Sequence, residues 1–196
     1  VSHPSDVLTM SEVLVAIRER VARQLEERQS ILDGLLRELD PFGVRVITME
    51  DLSIAERRAV DEHFEAEIFP VLTPLALDPG HPFPYVSSLS LSLAVEVRDP
   101  KSGQMHFARV KVPQKQSRWV AVPGRAHEFI PIEEVIGSNL DALFPGMETV
   151  GWHAFRVTRY SDLELSNLED PEDLLATIEE RVFERRFGEV IRLEVE

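Results

Sequence analysis

Five prolines fall within fifteen residues: Pro70, Pro74, Pro79, Pro82 and Pro84, with Gly80 among them. Proline lacks the N–H that helix interiors and central strands need, so neither survives that density. The stretch reads as an ordered, extended connector. It separates a helical front from a rear that is richer in strands.

The front opens on Thr9-x-x-Glu12, a capping box that starts a helix near Met10. Leu14, Ile17, Val21, Leu25, Leu32, Leu35 and Leu39 follow at helical spacing, and Arg28 takes the one slot of the stripe that is not apolar. Glu19, Arg23, Glu26, Glu27 and Arg37 mark the opposite face. Asp40-Pro41-Phe42-Gly43 ends the helix. A lone amphipathic helix cannot bury its stripe. It reads as the last helix of a bundle, with a coiled-coil dimer as the alternative. A strand-like run, Val44 to Thr48, leads to a second capping box, Ser53-x-x-Glu56, whose helix carries Val60, Phe64 and Ile68 at four-residue steps. His63 sits on its charged, solvated face.

Behind the connector, Ser88 to Arg98 alternates as a half-buried strand. Asp99 to Gly103 is a hairpin loop, Met105 to Val112 the returning strand, and Arg118 to Val122 a third. A helix starts near Pro131 or Ile132, with Val135, Ile136, Leu140 and Leu143 inward. Thr149 to Tyr160 is extended. Asp170-Pro171 opens a last helix, which ends at Gly188. Strands and helices without regular βαβ alternation indicate an α+β fold. The chain begins without Met and ends in an alternating run, Val190 to Glu196, that reads as an unfinished strand. The expectation is a piece cut from a longer polypeptide.

The search for chemistry excludes more than it finds. The net charge of −14 argues against a surface whose main job is to grip nucleic acid, polyphosphate or anionic lipid. The chain has no cysteine, which removes thiolate metal sites and Cys nucleophiles and fits a cytosolic protein. No glycine-rich phosphate loop is present. Asp78 and His81 lie in one turn, but no nucleophile elbow completes a triad. The six histidines are scattered, none in an HxH or HExxH pair. Residues 98–125 carry seven basic side chains against Asp99 alone, whereas residues 161–196 carry twelve acids against four arginines. The two regions pair with each other, or each is a solvated face, or the basic stretch meets an oligo-anion. Arg156-Val157-Thr158-Arg159, followed by Asp162, has two readings: guanidinium forks for phosphate, or a buried arginine–carboxylate bridge. In a regular strand the two arginines face opposite ways. Arg156 then shares the more polar side with Ala154 and Thr158 and is the candidate phosphate contact. Arg159 shares the apolar side with Phe155 and Val157 and is the candidate partner of Asp162.

Several blocks resemble the long, histidine-phosphorylating bacterial polyphosphate kinases. They are Ile68 to Pro84, Phe107 to Pro113, Leu143 to Met147 and Phe155 to Arg159, in family order. The resemblance implies four domains in the parent, with residues 1–42 the last long helix of the N-terminal helical domain. Residues 43–196 would be the head (middle) domain, similar in fold to PX domains, with a small antiparallel sheet packed with helices. It implies a parent that transfers the terminal phosphate of ATP to polyphosphate through a phosphohistidine, with Mg, ATP and polyphosphate as cofactor and substrates. The phosphorylated histidine and the Mg and phosphate ligands lie in C-terminal domains, and the adenine-contacting Asn lies before this chain. No residue here inherits a catalytic, cofactor or metal role. The piece is expected to be inactive alone and to serve dimerisation and the wall of the ATP/polyphosphate tunnel, with Arg156 at its rim. The expected partners are the remaining N- and C-terminal domains and a second copy, in the cytoplasm, with no nucleic acid and at most peripheral membrane contact. The alternative is an independent PX-like module for anionic lipid or protein.

Overall fold

The Thr9 capping box forms: the Thr9 hydroxyl accepts the Glu12 N–H at 3.3 Å, and the Glu12 carboxylate accepts the Thr9 N–H at 2.7 Å. In the computed structural model, which describes residues 8–77, 84–160 and 188–196, this cap starts α1 (Met10–Leu39). No residue of α1 is buried, and Leu14, Ile17, Leu32, Leu35 and Leu39 remain 41–52% exposed. Val21, Leu25 and Leu36 are half-buried. The helix ends in a 3-10 turn, Asp40–Phe42, and Gly43 adopts φ +75°, the left-handed region that glycine enters freely.

The Ser53 box starts α2 (Ile54–His63), which continues as one π-helical turn, Phe64–Ile68. The four-residue steps work as expected: Val60, Phe64 and Ile68 are at most 1% exposed. The proline-rich connector is not wholly free of ladder pairing, however. Pro74 opens β2 (Pro74–Leu77), an edge strand paired only with β4. A missing N–H is tolerated at the first residue of an edge.

Among the described residues five antiparallel strands form the main sheet in the order β2-β4-β3-β7-β8, with β3 at Leu91–Arg98, β4 at Met105–Lys111, β7 at Glu148–Arg159 and β8 at Val190–Val195. A smaller sheet pairs β1 (Arg45–Val46) in parallel with β6 (Glu128–Pro131), which runs antiparallel to β5 (Trp119–Ala121). The strand expected from Ser88 starts at Leu91, because Leu89 sits in a turn at φ +60°. The helix expected from Ile132 breaks into α3 (Ile132–Ser138) and α4 (Leu140–Leu143). Asn139 at the break donates its side-chain amide to Asp61 and to the Val135 carbonyl, both at 3.0 Å. The Asp170-Pro171 helix lies outside the described residues. The fold is α+β: a long N-terminal helix, then antiparallel sheet packed with helices.

The core lies between one face of the main sheet and the helices. Leu93, Val95 and Val97 of β3 meet Val60, Phe64, Ile132, Val135 and Ile136 in one cluster. One contact limits how close α3 and β7 approach. A Cβ built on Gly137 would lie 2.2 Å from Cε2 of Trp152. Gly137→Ala therefore has to move the indole or the helix, and overpacking of this kind costs about 1–3 kcal/mol. The expected result is a clearly lower midpoint in urea denaturation. An unchanged midpoint would show that the contact gives way freely.

Candidate functional site

Strand β7 distributes the two arginines singled out in the sequence. Arg156 is in register with Leu91 on one side and Glu194 on the other. Its Nε donates to Glu194 at 3.2 Å, and the same carboxylate accepts from Arg192 Nη2 at 3.0 Å. Across from this edge runs α1. Leu25, Arg28 and Gln29 of α1, with Arg118 and the β7–β8 strands, enclose a cleft of about 550 Å³. Four guanidinium groups border it: Arg28, Arg118, Arg156 and Arg192. Glu26, Glu194 and Glu196 border it as well. Arg28 has no carboxylate partner among the described residues.

The register corrects one expectation. The side of β7 that carries Arg156 is not the open one at its centre, since Ala154 on that side is only 3% exposed and joins the core. Arg156 sits where this core face runs out. Arg159 lies over the Tyr85 ring at 4.7 Å and donates to the carbonyls of Val86 at 2.8 Å and Gly188 at 2.7 Å. Its proposed partner Asp162 lies outside the described residues, as do Asp78 and His81.

Three arginines of the basic stretch 98–125 pair with carboxylates, all of which lie before residue 161. Arg98 holds Glu148 through two bonds of 2.8 and 3.0 Å. Arg118 holds Glu133 at 2.5 Å, and the other Glu133 oxygen is buried without a partner. Arg125 gathers Glu56, Glu128 and the Asp51 carbonyl. Arg109 is the exception among the four arginines of the stretch. It is 5% exposed, with no carboxylate among the described residues, and donates to the Ser92 hydroxyl at 3.1 Å and the Tyr85 carbonyl at 2.8 Å. Burial lowers its pKa. The sequence reading passed over Arg109 and Glu194, since neither an isolated strand arginine nor a terminal glutamate stands out in a pattern. Arg28 did leave a trace, as the gap in the apolar stripe.

Carboxylates respond to these contacts. Hydrogen bonds from Arg125 and from Ser53 bring Glu56 from 4.5 down to about 2. Glu134 is pushed up, first by burial and then by Glu133 and Glu50. Among the described residues no group of three or more His, Asp or Glu is arranged to hold a metal ion. His63 is exposed beside a second cavity of about 360 Å³ next to Trp119. No helix among the described residues is long and apolar enough to cross a membrane.

Comparison with known proteins gives a consistent result. The family model "Polyphosphate kinase middle domain" matches residues 55–196. A polyphosphate kinase of Mycobacterium marinum is 46% identical over 97% of this chain, and one of Thermosynechococcus vestitus is 44% identical over 98%. The chain spans 27% of the length of each. The crystal structure of polyphosphate kinase from Porphyromonas gingivalis superimposes with a TM-score of 0.70 at 28% identity, covering 85% of this chain and 28% of that one.

Two predictions follow from the geometry. The depressed Glu56 pKa gives stability that is complete above about pH 4.5 and lost as pH falls through about 2. Glu56→Gln should therefore flatten the fall of melting temperature across that window, and a slope parallel to the parent's would refute the linkage. Arg159→Ala strips donors from two carbonyls, and charged hydrogen bonds contribute about 1.5–3 kcal/mol. Arg156→Ala breaks a part-exposed pair worth about 0–1 kcal/mol. The Arg159 variant should melt clearly lower than the Arg156 variant, and equal melting would overturn this assignment.

Proposed function

The chain belongs to the polyphosphate kinase family, whose middle domain it carries, and from that premise we propose that it is the head region of an enzyme that transfers the terminal phosphate of ATP to polyphosphate through a phosphohistidine. The observation that carries this reading is identity of 46% maintained over 97% of the chain to a full-length polyphosphate kinase. In this reading residues 1–42 close the N-terminal helical domain and residues 43–196 form the head. The exposed stripe of α1 supports the division, because Leu14, Ile17, Leu32, Leu35 and Leu39 require a cover that the rest of the chain does not supply among the described residues. The remaining helices of the N-terminal domain are that cover. A homodimer in the cytoplasm belongs to the same reading.

In this reading no residue of this chain holds Mg or ATP, and the phosphoryl-accepting histidine belongs to domains beyond this chain. The head contributes the wall of the phosphate path, with Arg156 at its rim. Phosphoryl transfer depends on positioning and on cationic clamps around the phosphates, and wall arginines can serve as such clamps. Labelled ATP with magnesium tests the assignment. The chain alone should neither take label nor form polyphosphate, and the longer enzyme that contains it should do both. Acid-labile label on the isolated chain, or a longer enzyme without polyphosphate synthesis, would overturn it.

A further inference from the structure

We propose that the cleft between α1 and the β7–β8 edge is a binding site for condensed phosphate, in which the phosphate chain displaces Glu194 from Arg156 and Arg192 and is met from the other wall by Arg28. The choice of condensed phosphate rests on the polyphosphate kinase reading; the anion site itself rests on the geometry. Two features carry it. Arg28 occupies an apolar slot of the α1 stripe, yet its side chain borders the cleft without a carboxylate partner among the described residues. Facing it, Arg156 and Arg192 share the single carboxylate of Glu194, at 3.2 and 3.0 Å. Two cations on one anion leave capacity for a second, and guanidinium forks suit phosphate oxygens. The cleft, about 550 Å³, has the volume of a small-ligand site. Arg118 also borders it but is held by Glu133 at 2.5 Å, and is assigned no phosphate.

Acidic groups oppose the ligand. Glu26 and Glu196 border the same cleft, so the four arginines do not leave a large cationic excess. The site is therefore a gated one. With Glu194 in place the arginines are quenched, and binding requires a multivalent anion able to outcompete one carboxylate. A linear oligophosphate meets that requirement because its charges are linked: once one phosphate engages, the next is held nearby.

Isothermal titration of the chain with inorganic tripolyphosphate at low ionic strength tests this. Saturable binding near one per chain is expected, weakening as salt rises. Arg28→Ala and Arg192→Ala should each weaken it by about five- to tenfold, the scale of one charge-assisted contact. Glu194→Gln should tighten it by about threefold or more, since it removes the competing charge while keeping the side-chain shape. Lys101→Ala, remote from the cleft, should leave it unchanged. ATP is the second arm: affinity equal to or below that of tripolyphosphate means that the phosphate chain is read. Binding of ATP without tripolyphosphate would overturn the proposal. So would absence of tripolyphosphate binding, indifference to Arg28→Ala, or weaker binding by Glu194→Gln. A silent cleft in a chain whose longer enzyme makes polyphosphate overturns the site and leaves the family reading standing.

Discussion

The two-residue period of the central strands is the constraint on which the rest of this domain depends. Leu93, Val95 and Val97 of β3 must face the helices, because that is where the only continuous apolar cover lies among the described residues. Ser92 is then forced to the other face, where its hydroxyl accepts from buried Arg109. Pairing carries the same choice into β7. Ala154 lies opposite Leu93 and Trp152 opposite Val95, so Arg156, two residues on, continues the core face to its end. Arg159, three residues from Arg156, reaches the opposite side and stacks on Tyr85. A slip of one residue would exchange these environments.

What could be read from the sequence was local. Four-residue capping boxes at Thr9 and Ser53 needed no tertiary information, and the alternation of β3 and β4 was visible in the side chains themselves. What could not be read was decided across the chain. The parallel pairing of Arg45 and Val46 with Glu128 and Phe129 has no signature in either segment. Asn139 breaks a helix that propensity would continue, and its amide is bound to Asp61 of α2. The partners of the basic stretch were equally hidden. Charge runs suggested pairing with residues 161–196, open solvent or an oligo-anion; Arg98, Arg118 and Arg125 meet Glu148, Glu133 and Glu56, while residues 161–187 lie outside the described ones. A charge count specifies how many partners are needed, and the fold alone specifies which.

The arginines divide by what they hold. Arg109 and Arg159 converge on Tyr85 and Val86, through one backbone carbonyl each, just after the last proline of the connector. Backbone carbonyls outside the ladders need donors from elsewhere. Guanidinium groups supply them. Arg125 does the same for the Asp51 carbonyl while binding Glu56, so the start of α2 and the turn before β6 are fastened by one side chain.

Arg28 belongs to neither class: it borders the cleft beside the β7–β8 edge with no carboxylate partner among the described residues. Arginine is a good helix former, so the substitution costs α1 nothing locally. A guanidinium cannot be pressed into that edge without an anion, because burying an unpaired charge costs more than the apolar contact returns. An acid of the cleft, Glu194, is already shared by Arg156 and Arg192. Near the C-terminal end of the helix Asp40 pairs with Arg45, and the cleft lies along its middle.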